Sequence, residues 1–120
     1  MIRWSVSVLM SLLLITNAQR AHALFASGQD LLTGFESFER FRGGKGKPTD
    51  LADSMRITGY VQGTIDSAIS AGILCINGKN LTVKTAQPVI VQYLQKNPSM
   101  LKKSGVEAVL MSLHPAYKCD

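Results

Sequence analysis

Cys75, Cys119 and His114 are the side chains beyond the first segment best suited to covalent or proton-transfer chemistry. A Cys75–His114 nucleophile and base would need a free thiol and a third polar group to orient the imidazole. No such group stands at an evident spacing, and the oxidation argued below removes the thiol. Two cysteines and two histidines are also too few for a Cys-rich zinc module. Residues 43–49 read GGKGKPT, glycine-rich and basic. A phosphate-cradling P-loop needs GxxxxGK[ST] between a strand and a helix. Here Pro48 follows Gly46-Lys47, no strand precedes, and the first glycine is missing. The segment reads as a solvated loop. Asp50, Asp53 and Asp66 fall on one expected helix, with no second acid paired at a catalytic spacing. Neither an enzyme, a metal site nor a cofactor site is expected.

The elements that position these residues begin after a leader. The chain has 120 residues, one domain's worth, with 46% hydrophobic and 18% charged residues. That composition excludes a solvated, disordered tail. Arg3 opens the chain, residues 5–15 (SVSVLMSLLLI) are uncharged and apolar, and Ala21-His22-Ala23 is a small-x-small cleavage motif. This is the three-part plan of a secretory signal, residues 1–23, with cleavage expected between Ala23 and Leu24. The apolar run is too short to cross a hydrocarbon core, which takes about 20 residues. The domain proper is then 24–120. Loss of Arg3 and Arg20 takes the 13 basic groups to 11 against 8 acidic ones, a balance of +3. Arg40, Arg42, Lys45 and Lys47 form a basic cluster, but a balance so modest in an exported chain makes nucleic acid a poor partner. In an oxidising compartment the only two cysteines read as one disulfide, Cys75–Cys119. Closing a loop of about 45 residues stabilises a domain by roughly 4 kcal/mol in the chain-entropy account.

Four helices are expected, giving an all-α domain. Leu31, Leu32, Phe35, Phe38 and Phe41 recur at helical spacing, and Gly43-Gly44 ends that helix. A second helix is expected to be capped by Thr49 or Asp50, to carry Leu51, Met55, Ile57, Val61, Ile65, Ala68 and Ile69, and to stop at Gly72. Gly59 and Gly63 lie four apart on it, so a neighbouring backbone can come close, inside the protomer or at a dimer seam with Tyr60. Asn77-Gly78-Lys79-Asn80 is a polar turn, expected as a loop tied down by Cys75 rather than a hairpin. Thr82 or Thr85 caps a third helix with Val89, Ile90, Tyr93 and Leu94 inward, and Pro88 argues for a start near Thr85 or a bend. Asn97-Pro98 stops it. Ser104 and Glu107 make a capping-box pattern before Val106, Val109, Leu110 and Leu113, and Pro115 is expected to end this last helix.

From Asp30 onward the ordered set resembles the Tai family, immunity proteins against amidase effectors of type VI secretion. The matching stretches are Leu31-Leu32 before an aromatic and Glu36-Ser37, then Gly59-Tyr60-Val61-Gln62-Gly63 and Leu74-Cys75-Ile76. The Thr82 helix opening, Val89-Ile90-Val91-Gln92-Tyr93-Leu94, Pro98, and a final helix leading to Cys119 complete it. Many relatives have further cysteines where Phe35 and Ile57 stand here, so an apolar contact is expected in place of a second bridge. The resemblance implies a non-catalytic periplasmic inhibitor, commonly a homodimer, that binds a peptidoglycan amidase and blocks its cleft. The candidate inserted element is Asn77, Gly78, Lys79 and Asn80. The alternative is a periplasmic acid-stress chaperone of the HdeA type.

Overall fold

The computed structural model describes residues 25–120; the expected leader, with its cleavage motif, lies outside them. Four α-helices follow in order: α1 (Gly28–Arg42), α2 (Pro48–Ser70), α3 (Val83–Lys96) and α4 (Gly105–Tyr117), with a 3-10 turn, Pro98–Lys102, between the last two. Among the described residues extended pairing is limited to two isolated bridges, Ser27 with Ser104 and Leu74 with Lys118. The all-α, four-helix expectation holds.

Each helix starts on a local device. Ser27 and Asp30 form a reciprocal box: the Asp30 N–H donates to Ser27 Oγ at 3.2 Å and the Ser27 N–H to Asp30 Oδ2 at 2.8 Å. Thr82 and Thr85 do the same with hydroxyls, at 2.9 and 3.2 Å. The Glu107 N–H donates to Ser104 Oγ at 3.1 Å. These satisfy donors that the first helical turn leaves without partners. α2 differs from expectation. Its cap is Lys47, with Pro48 in the first turn, and the Asp50 carboxylate reaches back to accept the Lys47 N–H at 2.8 Å. Proline fits here because its missing N–H would have been orphaned anyway, so it starts the helix ahead of Thr49. α2 ends at Ala71, followed by Gly72 in the left-handed region at φ 72°.

The core gathers Leu31 and Phe35 from α1, Ile57, Val61, Ile65 and Ala68 from α2, Ile90 and Leu94 from α3, Val109 and Leu113 from α4, and Leu74 from the connecting loop. Phe35 and Ile57, expected to meet where relatives hold cysteines, are both buried in this cluster. Three parts of the expected pattern are corrected. Phe38 and Phe41 stand exposed on α1, as do Leu51 and Met55 on α2 and Val106 on α4. The buried stripe of α1 is Leu31, Gly34, Phe35 and Ser37, because α2 approaches on the glycine side. Pro88 sits inside α3 and Pro115 inside α4. Each forfeits one bond to the carbonyl four residues back, that of Lys84 or of Met111, both at exposed positions.

The α1–α2 pair is antiparallel: Gly34 lies opposite Ile57 and Arg40 opposite Asp50. A Cβ on Gly34 would fall 2.2 Å from Ile57 Cγ1, so glycine sets how closely the helices approach. Gly59 and Gly63 are different. A Cβ on either meets nothing within 4 Å, so they do not admit a neighbouring helix within the protomer. Gly34→Ala is expected to destabilise the domain by about 1–3 kcal/mol through overpacking. Gly59→Ala is expected to stabilise it by about 0.5–1 kcal/mol through helix propensity. Urea unfolding midpoints of the two variants, shifting in opposite directions, check this.

Candidate functional site

The loop after α2 is built outward from Cys75. Cys75 is disulfide-bonded to Cys119 with their Cα atoms 4.9 Å apart. The Cys75 N–H donates to the Tyr117 carbonyl at 2.7 Å, and Leu74 bridges Lys118. The last residues of the chain and the α2–α3 connection are therefore one unit, and the sulfur is unavailable to pair with His114.

Beyond Cys75 the chain turns back. Asn77 and Gly78 both have positive φ, 49° and 76°, and the Lys79 N–H donates to the Ile76 carbonyl at 2.9 Å. Successive left-handed residues at Asn-Gly are the geometry of a type I′ turn. No hairpin forms around it, because Leu74, ahead of the turn, pairs with Lys118 of the tail.

The four nominated residues divide sharply. The Lys79 ammonium donates to the Ala116 carbonyl at 2.7 Å and lies 5.7 Å from the Tyr117 ring centroid. The Asn77 amide donates to the Lys118 carbonyl at 3.1 Å, and the Tyr117 hydroxyl donates to the Asn80 carbonyl at 3.1 Å. A cation and an amide thus satisfy carbonyls at the C-terminal end of α4, where the helix dipole also favours positive charge. Gly78 is uncommitted, with open space where a Cβ would stand, and Asn80 is engaged through its backbone carbonyl alone. Ile73 and Ile76 flank the turn, 47% and 42% exposed. Residue reading passed over them as part of one apolar run. The clue was that Ile73-Leu74-Cys75-Ile76 offers more apolar side chains than a tail contact can cover, and only Leu74 is fully buried.

A second feature was not foreseen. An open groove of about 650 Å³ lies between α1 and α3. Leu32, Phe35 and Phe38 line it from α1, Pro88 and Val91 from α3. The signal was a surplus of apolar residues on α1, where Leu32 and Phe38 widen the stripe beyond what the core absorbs. Much of the basic cluster nearby is internally paired. Arg40 binds Asp50 at 3.0 Å and donates to Ser37 Oγ at 3.0 Å, while Arg42 binds Glu39 at 3.2 Å. The hydrogen bond from Arg40 holds the Asp50 carboxyl below its ordinary range, helped by the Lys47 N–H, and the same contact raises Arg40.

Among the described residues no three His, Cys, Asp or Glu side chains are gathered as a metal site would need. No described helix is long and apolar enough to cross a membrane. Tyr60, grouped with the two glycines from the sequence, separates from them: its ring lies where a Cβ on Gly105 would be, 2.7 Å from Cε1.

Two outcomes are expected. Replacing both Cys75 and Cys119 by Ala should lower stability by about 4 kcal/mol at most, read by urea unfolding, since the bridge closes a long loop. Because the folded-state pKa of Asp50 is lowered, its contribution is present above the unfolded value and lost as pH falls through the folded one. Asp50→Asn should therefore lower the melting temperature at neutral pH, with the gap to wild type closing below about pH 4.

No curated protein and no solved structure matches this chain. Residues 27–119, from the cap of α1 to the second cysteine, match the family described as Rap1a immunity proteins. That span covers the entire helical body, and with it comes the general role of an immunity protein for a secreted effector. The chain belongs to the Rap1a immunity protein family.

Proposed function

We propose that this chain is a periplasmic immunity protein that binds and blocks a type VI secretion amidase, protecting peptidoglycan from a toxin delivered by sibling cells. Residues 1–23 act as a cleaved export signal, which agrees with a chain whose two cysteines are oxidised. The protein works by occupancy, without turnover.

The observation that carries the reading is the knotted turn at 77–80. Asn77 and Lys79 are fixed against the end of α4 and the base of the turn is closed by a disulfide, yet Gly78 and the flanking Ile73 and Ile76 face outward. An element held in one conformation before contact loses little entropy on binding, so more of the contact energy appears as affinity. Gly78 has no side chain, so the tip is narrow enough for a catalytic groove, and the isoleucines supply apolar area at its mouth. A homodimer with Gly59 and Gly63 at its seam completes the proposal. Both glycines open outward from α2, where a second backbone can lie close.

Co-expression with amidase effectors directed to the periplasm tests the reading. The full chain is expected to rescue growth against one amidase, and a version lacking residues 1–23 is expected to fail. Ile76→Glu should abolish rescue while leaving the melting temperature within a few degrees, because that side chain is 42% exposed. Rescue from none of the amidases, together with suppression of acid-induced aggregation of client proteins, would favour the HdeA-type chaperone instead.

A further inference from the structure

The α1–α3 groove is not explained by the turn at 77–80, and its chemistry is specific enough to name an occupant. Its floor is apolar, from Leu32, Phe35 and Phe38 on one wall to Pro88 and Val91 on the other. Both walls are α-helices whose backbone groups are bonded within themselves. An extended segment laid between them would bury N–H and C=O groups without partners, at a cost in free energy for each. A helix brings its own hydrogen bonds and meets no such penalty. The α3 wall runs from Lys84 to Gln95, about 16 Å at 1.5 Å per residue, room for some three helical turns.

The charges add direction. Arg40 and Arg42 are committed to Asp50 and Glu39, and Glu39 also accepts from the Gln87 amide at 3.4 Å. Glu36 on the α1 wall and Lys84 on the α3 wall have no ion pair among the described residues. Two opposite charges therefore line the groove on opposite walls, Lys84 without an ion-pair partner and Glu36 with only the longer-range field of Arg40. Pro88 has no N–H for the Lys84 carbonyl, so that acceptor is also left without its helical donor.

We infer that this groove takes an amphipathic helix of the effector protein, with an apolar ridge inward, a base toward Glu36 and an acid toward Lys84. The inference rests on the immunity reading and adds to it a second contact surface. Lys84 lies just past the Thr82 cap, so the 77–80 turn leads directly into the α3 wall, and one partner can engage both.

The test uses the full exported chain and the purified amidase that it neutralises in the growth assay, with affinity measured by calorimetry. Val91→Glu is expected to weaken binding by about tenfold or more, as placing a charge on an interface floor does. Lys84→Glu, at an exposed position in the first turn of α3, is expected to weaken it roughly fivefold, and by less in high salt. Unchanged affinity in the Lys84→Glu variant would overturn the inference while wild-type binding kept the immunity reading intact. Loss of self-association with unchanged affinity for the amidase would also overturn it, assigning the groove to a second copy of this chain.

Discussion

Closure of the chain's end onto its middle is the constraint on which the remaining structure depends. The tail beyond α4 has no helix to belong to, and the α2–α3 connection has no strand partner of its own. Each supplies what the other lacks. The Cys75–Cys119 bond fixes their separation, the Leu74–Lys118 bridge aligns the backbones, and Asn77 and Lys79 take up carbonyls at the end of α4. A small helical body buries a modest core, so a loop of this length would otherwise be among the first parts to open. With these ties it is among the most determined. The opposite end has a smaller version of the same solution. Ser27 and Ser104 cap α1 and α4 and also bridge each other, with the Gly105 N–H donating to the Ala26 carbonyl at 2.8 Å.

Much of the fold was legible because its cues are local. Thr82, Ser104 and Gly72 mark helix boundaries through their own side chains or backbone, and four apolar periodicities fixed the number of helices. The disulfide was legible from the count of cysteines and the leader. Pro115 misled by only two residues: it forfeits a bond and crowds the carbonyl of Met111, yet the last turn is carried past it to Tyr117. Phe38 and Phe41 misled for a different reason. A stripe of large apolar residues states that a face is sticky, not which part of it the fold will cover. The rotation of α1 was settled by Gly34, whose lack of a side chain invites Ile57, and that is a tertiary fact.

The candidate site was half legible. The turn at Asn77-Gly78 was readable from its chemistry, since that dipeptide favours two left-handed residues in succession. Two of its polar side chains, Asn77 and Lys79, obvious candidates for contact with a partner, proved to be structural. The outward-facing groups are apolar neighbours that a residue-by-residue reading credits to the core. Likewise Arg40 and Arg42, which look like a free basic patch in one dimension, are neutralised by Asp50 and Glu39 once the helices pack. Sequence reading identifies charges well and their partners poorly, because partners come from other elements.

The bond between residues 75 and 119 also divides the molecule mechanically. A force applied between the start of α1 and Cys119 passes across the sulfurs and bypasses everything from 76 to 118. Tension would peel apart the α1–α2 hairpin and release at most about 170 Å of extended backbone, then stop. α3, α4 and the turn between their ends would remain slack inside a covalent ring, out of reach of tension that dismantles the other half.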